Sequence, residues 1–132
     1  MFKISLAAAA GLMALGLQPA LADSAGASFS TGSKFTQQTG AEIYGAVCQA
    51  CHMDKGQGAV GAGKYPALAK NENLADPSYP VYIVIHGQKG MPGFGAMLDE
   101  KQIAAVVDYV RTSFGNDYKD PTTSVEDVAG TR

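Results

Sequence analysis

Cys48-Gln49-Ala50-Cys51-His52 is the stretch on which the reading of this 132-residue chain turns. Cysteines three residues apart project from one face of a helical turn, so both thiols can form thioethers with the two vinyl groups of one porphyrin. The histidine directly after them is placed to reach under the ring and bind the iron from the proximal side. These are the only two cysteines, so no thiol is left for a disulfide. The C-x-x-C pair alone would also suit a thioredoxin-like redox motif or half of a zinc site. The first wants a surrounding β-α-β pattern, which the sequence lacks, and the second wants two more ligands at suitable spacing. The five-residue form points to one covalent haem c on Cys48 and Cys51, with His52 as an axial ligand of the iron.

The N-terminus leads the same way independently. Lys3 supplies a positive start, Ile4 to Leu17 carry no charge, Pro19 breaks the run, and Ala20-Leu21-Ala22 matches a small-x-small cleavage site. Residues 1–22 therefore read as a secretory signal peptide, with the mature chain starting at Asp23 in the periplasm, outside the cytoplasmic membrane where bacterial haem attachment takes place. The apolar run falls short of the roughly 20 residues that span a bilayer, which disfavours an uncleaved, membrane-spanning anchor. Ten Lys and Arg face twelve Asp and Glu, a formal net charge of −2 before loss of Lys3. No basic stripe of the kind that binds nucleic acid is present, although Lys55, Lys64 and Lys89 can form a local positive rim on an acidic molecule.

Composition divides the mature chain into three. Residues 23–38 are rich in Ser, Gly, Thr and Ala without an apolar period, and read as a flexible arm. Residues 116–132 are polar with isolated valines, and read as a flexible C-terminal tail. Between them, residues 39–115 form one compact unit, short for a freestanding core, which a covalently held porphyrin completes as an apolar centre.

Within that unit, Thr39 and Glu42 form a capping box for a first helix running to Cys51, with Ile43, Tyr44 and Val47 as its apolar stripe. Gly45 in that helix suits a close crossing, with Tyr109 and Val110 as candidates to meet Gly45 and Tyr44. Asp99 and Gln102 form a second capping box for the last helix, where Ile103, Val106, Val107, Val110 and Phe114 recur at helical spacing before Gly115. Val81-Tyr82-Ile83-Val84-Ile85 favours a strand by propensity, but it has no second strand to pair with. Pro80 near its start and Gly87 past its end favour a short helix. Met53 to Pro77 is expected to be mostly loop.

Met91, flanked by Gly90 and Pro92, lies 39 residues after His52 in a loop ahead of the last helix. A thioether sulfur is a soft, uncharged ligand that favours ferrous iron, so Met91 is the candidate sixth ligand. Met53 adjoins His52 and cannot reach the opposite face, and Met97 sits at the entrance to the last helix. His86 remains as an alternative that would give a bis-His haem.

A C-x-x-C-H motif after an aromatic-bearing helix, the mid-chain Pro66-Ala67-Leu68, and Met91-Pro92 before a final apolar helix together resemble the class I c-type cytochromes over residues 39–115. The resemblance implies an all-α fold, the compact cytochrome c fold, with three to four helices and long loops wrapped around one covalent haem. It further implies that the Pro66 carbonyl accepts a hydrogen bond from His52 and that Leu68 lies over the ring. Lys89 to Gly95 and Ile103 to Arg111 are similar to cytochromes that accompany periplasmic quinoprotein, flavoprotein or molybdenum dehydrogenases. The implied function is single-electron transfer from such a dehydrogenase to an oxidase or another cytochrome of the respiratory chain, not catalysis. Ala50, Met53, Ala59 and Val60 are the candidate contacts for a partner at the exposed haem edge. Two other readings remain open: a five-coordinate haem enzyme or gas sensor, and a fixed electron-transfer subunit of a dehydrogenase complex.

Overall fold

Both capping boxes form, and they launch the two helices on which the rest is laid. The computed structural model describes residues 34–61 and 63–132. Residues 1–22, expected as a signal peptide, and residues 23–33 of the expected arm lie outside the described residues. Thr39 Oγ1 accepts from the Glu42 N–H, and Glu42 accepts in return from the Thr39 N–H at 3.1 Å. The first helix, α1, spans 40–52. It opens with Gly40–Ile43, widens to i→i+5 bonding over Tyr44–Cys48, and closes with Gln49–His52. The extra residue in the wide turn rotates everything after it relative to Ile43, which re-aims the C-x-x-C-H face. Met53, at φ 67°, ends the helix directly after His52.

The chain then makes a two-residue hairpin, β1 (Ala59–Val60) against β2 (Lys64–Tyr65), and a single 3₁₀ turn over Glu72–Leu74. Helix α2 covers Ser78–His86, so the β-branched run is helical: with no partner strand in sequence, local helix signals prevail over strand propensity. Helix α3 (Glu100–Thr112) begins at Asp99, whose side chain accepts from the Gln102 N–H at 2.9 Å. Ile103, Val106, Val107 and Val110 are buried as the periodicity predicts, while Phe114 falls beyond the helix at φ 59°. The mostly helical architecture is the one expected of the cytochrome c fold.

Helix α1 crosses α3, and the glycine that permits the approach is Gly40, not Gly45. A Cβ at Gly40 would collide with the Ala105 carbonyl and the Tyr109 side chain, whereas Gly45 is exposed and meets only Gln49 Oε1 at 3.8 Å. Tyr44 does meet Tyr109, at 5.6 Å between ring centroids, and Phe114 at 4.9 Å. The last residues of the arm dock as well. Gln102, 3% exposed, donates to the carbonyls of Phe35 and Gln37 at 2.8 and 2.7 Å, and Phe35 packs against the core.

The tail expected at residues 116–132 is instead part of the folded body. It carries a fourth helix, α4 (Val125–Thr131), capped by Ser124, which packs on α2 and α3 and buries Val128 completely. Three polar residues tie it down. Asn116 donates to the carbonyls of Leu68 and Val110 and accepts from the Asn71 N–H. Arg111, fully buried, donates to the carbonyls of Leu74, Ala75 and Pro121 and pairs with Asp108 at 3.3 Å. Asp108 in turn accepts from the N–H and hydroxyl of Thr123. The segment orders through hydrogen bonds to partners distant in sequence and through Val128 and the partly buried Tyr118, a pattern with no apolar period for composition to reveal. Val128→Ala is expected to destabilise the folded protein by about 1–2 kcal/mol, from two lost methyl groups and the cavity they leave. Denaturant unfolding of the holoprotein measures this, and an unchanged midpoint would mean that α4 does not pack.

Candidate haem site

The wide turn of α1 delivers Cys48 and Cys51, both half-buried, and His52, 8% exposed, to the inner end of the helix. Past the helix end, a chain of hydrogen bonds folds the backbone back toward His52. The Gly58 N–H donates to the His52 carbonyl at 3.1 Å, and the N–H groups of Leu68 and Ala69 converge on the Gly56 carbonyl at 2.7 and 2.9 Å. Gly58, at φ 67°, has no room for a side chain beside the Tyr65 and Pro66 backbone, so only glycine serves there. The Tyr44 hydroxyl donates to the Met53 carbonyl at 2.6 Å and closes the turn from the helix side. Burial pushes the pKa of that hydroxyl up to about 12, with the neighbouring Cys48 a lesser cause, so it stays a neutral donor.

These contacts bring Pro66 to His52: Nδ1 lies 2.9 Å from the Pro66 carbonyl oxygen. A carbonyl only accepts, so Nδ1 is the donor, and in the neutral imidazole that leaves the lone pair on Nε2. Leu68 is half-buried against the core two residues later, its carbonyl held by Asn116.

Met91 sits at the end of a tight turn, with Lys89 at φ 54°. Gln88 and Met91 exchange backbone hydrogen bonds at 3.0 and 2.9 Å. The loop then runs along the C-terminal end of α2, where the Phe94 N–H donates to the Val84 carbonyl and the Gly95 N–H to the Ile85 carbonyl, at 2.8 and 3.2 Å. A Cβ at Gly93 would overlap the backbone of Ile85 and His86. The methionine is therefore presented on a loop clamped to a helix end, not on a loose one. His86, the alternative ligand, is engaged elsewhere: Nε2 lies 2.9 Å from the Thr131 carbonyl and the ring packs against Tyr82. Met97 is held in a turn where its carbonyl accepts from the Phe35 N–H.

The rival chemistries of a C-x-x-C pair lack what they need. A reactive redox cysteine requires a depressed pKa, but burial, and secondarily Cys51, pushes the Cys48 thiol up to about 12. Among the described residues no group of three or more His, Cys, Asp or Glu side chains is arranged to hold a bare metal ion. A porphyrin fits better. Cys51 and His52 follow Cys48 by about one helical turn, and Val47, Leu68, Val84 and Phe94 stay only half-buried against the core, surface that a flat apolar group can cover.

Among the described residues no helix is long and apolar enough to cross a membrane. The family model described as "Cytochrome C oxidase, cbb3-type, subunit III" matches residues 35–110. The gluconate 2-dehydrogenase cytochrome c subunit of Pantoea cypripedii is 35% identical over 109 residues, which cover 72% of this chain and only 24% of that subunit. Cytochrome c-552 of Thermus thermophilus is 36% identical over 101 residues, covering 64% of this chain and 66% of its own length. Cytochrome c6 of Euglena gracilis is 34% identical over 80 residues, 58% of this chain and 91% of that protein. With a family model matched from the docked arm through α3 and a small cytochrome aligned over nearly its whole length, the chain belongs to the class I c-type cytochromes, electron-transfer proteins built on covalently attached haem c.

Proposed function

We propose that this protein is a periplasmic single-electron carrier whose haem is held by thioethers to Cys48 and Cys51 and ligated axially by His52 and Met91. The observation that carries this reading is the 2.9 Å contact of His52 Nδ1 with the Pro66 carbonyl. It makes Nδ1 the donor, holds the ring in one orientation and raises the basicity of the nitrogen that would bind iron. Haem c at such a site supplies a one-electron Fe(III)/Fe(II) couple, and a thioether ligand raises its potential.

The remaining chemistry belongs to the chain. Met91, on its clamped loop, can fill the sixth position, which leaves none open for oxygen or peroxide and argues against the enzyme and gas-sensor reading. Leu68, Val84 and Phe94 supply apolar surface that keeps water from the site. The hairpin after the motif exposes apolar surface of its own: Val60 is 84% exposed and Tyr65 43%. Such side chains suit the small, weak interface of a redox encounter, with lysines at its rim setting the encounter rate. The donor proposed is a periplasmic dehydrogenase, and the acceptor an oxidase or another cytochrome. Relatives named as cytochrome c subunits of gluconate and alcohol dehydrogenases, and as the cytochrome subunit of fructose dehydrogenase, support the donor. The same names support a second reading, in which the chain works as a fixed subunit of such a complex.

Substitutions test the ligand and the docking face separately. Met91→Ala is expected to abolish the far-red absorbance band of thioether-bound ferric haem and to let carbon monoxide or imidazole bind readily, whereas Met97→Ala leaves the spectrum unchanged; the reverse pattern overturns the assignment. Val60→Glu is expected to slow bimolecular reduction by the native dehydrogenase at every ionic strength, because a carboxylate is desolvated in a weak apolar contact. Lys119→Glu, at an exposed residue paired with Asp117, changes net charge in the same direction and should have a small effect that salt screens out. Equal effects would place docking elsewhere.

A further inference from the structure

Residues 116–132 lie beyond the part of the chain that the family model matches, yet they reach the methionine loop. The loop from Met91 to Leu98 is fastened at its start by the Gln88–Met91 pair and along its middle by α2 carbonyls. At its far end the Phe35 N–H donates to the Met97 carbonyl, and Arg132 supplies the side-chain fastening. One guanidinium nitrogen, Nη1, donates to the Gly95 carbonyl, and Nη2 donates to the Leu98 carbonyl at 2.8 Å. Nε pairs with Glu100 Oε1 at 2.7 Å, which orients the fork from the first turn of α3. The side chain is 30% exposed, so the contacts are partly shielded from water. Beside it, the Thr131 carbonyl meets His86 Nε2, and Val128 anchors the helix that leads to both. A planar fork spanning two carbonyls is a task for arginine, since an ammonium offers a single point of donation.

We propose that Arg132 is a positioning residue for the sixth haem ligand: by clamping Gly95 and Leu98 from the end of α4, it holds the loop in the arrangement that keeps Met91 on the iron. This rests on the reading of Met91 as that ligand. For another ligand to enter, the thioether must leave and the loop that carries it must shift. Every contact that fastens the loop only in its closed arrangement lowers the population of the open one. The apparent affinity for an entering ligand scales with that open fraction. Two charge-assisted hydrogen bonds are sufficient to change the fraction about five- to tenfold.

The test is an imidazole titration of the ferric holoprotein, followed by loss of the far-red band, in wild type, Arg132→Ala, Arg132→Lys, Met91→Ala and the double variant Met91→Ala/Arg132→Ala. Arg132→Ala is expected to keep the band but to bring the half-saturating imidazole concentration down about five- to tenfold, with Arg132→Lys falling between it and wild type. In the Met91→Ala background, where no thioether has to leave, the Arg132 change should do nothing further to imidazole affinity, read there from the Soret shift. An unchanged midpoint in Arg132→Ala overturns the proposal, and so does an equal shift with and without Met91, which would mark a general loosening of the fold. If Met91→Ala retains the band, the ligand reading itself is wrong, an outcome distinct from both. Should Arg132→Ala yield no holoprotein, Arg132→Gln, which keeps one donor group, takes its place with the same expectations.

Discussion

The hydrogen bond between His52 Nδ1 and the Pro66 carbonyl is the contact on which the site depends. Without it the imidazole could rotate about its own bonds, and neither nitrogen would have a fixed role. With it, a ring on the last turn of a helix is held in one orientation with Nδ1 as the donor, as the proposed ligand role requires. The bond spans 14 residues, and much of the loop between exists to close it. Gly56 and Gly58 take positive φ, Gly58 where the backbone passes too close for any side chain, and Tyr44 pins the helix end. The hairpin of residues 59–65 turns the chain back toward the histidine.

Two features carry that arrangement into the body of the protein. The widened turn of α1 sets the phase between the fully buried Ile43–Tyr44 face and the half-buried cysteine face. The C-terminal segment then reaches both loops that carry candidate site residues. Asn116 holds the Leu68 carbonyl on the proximal loop, while α4 and Arg132 hold the methionine loop. Arg111 locks the segment in place from inside the core. A buried guanidinium is tolerated because its donors meet three carbonyls and one carboxylate.

The elements governed by local rules were legible in the sequence. Two capping boxes and a 3.6-residue stripe located α1 and α3, and Pro80 in its first turn with Gly87 just past its end located α2 against the strand propensity of its own residues. The meeting of Tyr44 with Tyr109 was legible as well, from the apolar faces of the two helices. The crossing glycine was not: Gly45 looked suitable, but the contact point is set by how far the helices slide, and it falls at Gly40. The folded C-terminal segment was hidden for a different reason. Asn116, Arg111, Thr123 and Arg132 order it through partners many residues away, and polar residues in a polar stretch announce nothing until those partners are known. Of the site, the motif residues could be read directly, whereas the contact to Pro66 came only from the family resemblance.

The most direct measurement of the central claim is the state of the His52 imidazole in the reduced, diamagnetic holoprotein, read by nitrogen-resolved NMR. The predicted result is a proton on Nδ1 that exchanges slowly with solvent, because it is buried and bonded to the Pro66 carbonyl, with Nε2 unprotonated. An Nδ1 proton that exchanges as fast as that of an exposed histidine, or a proton found on Nε2, would contradict it.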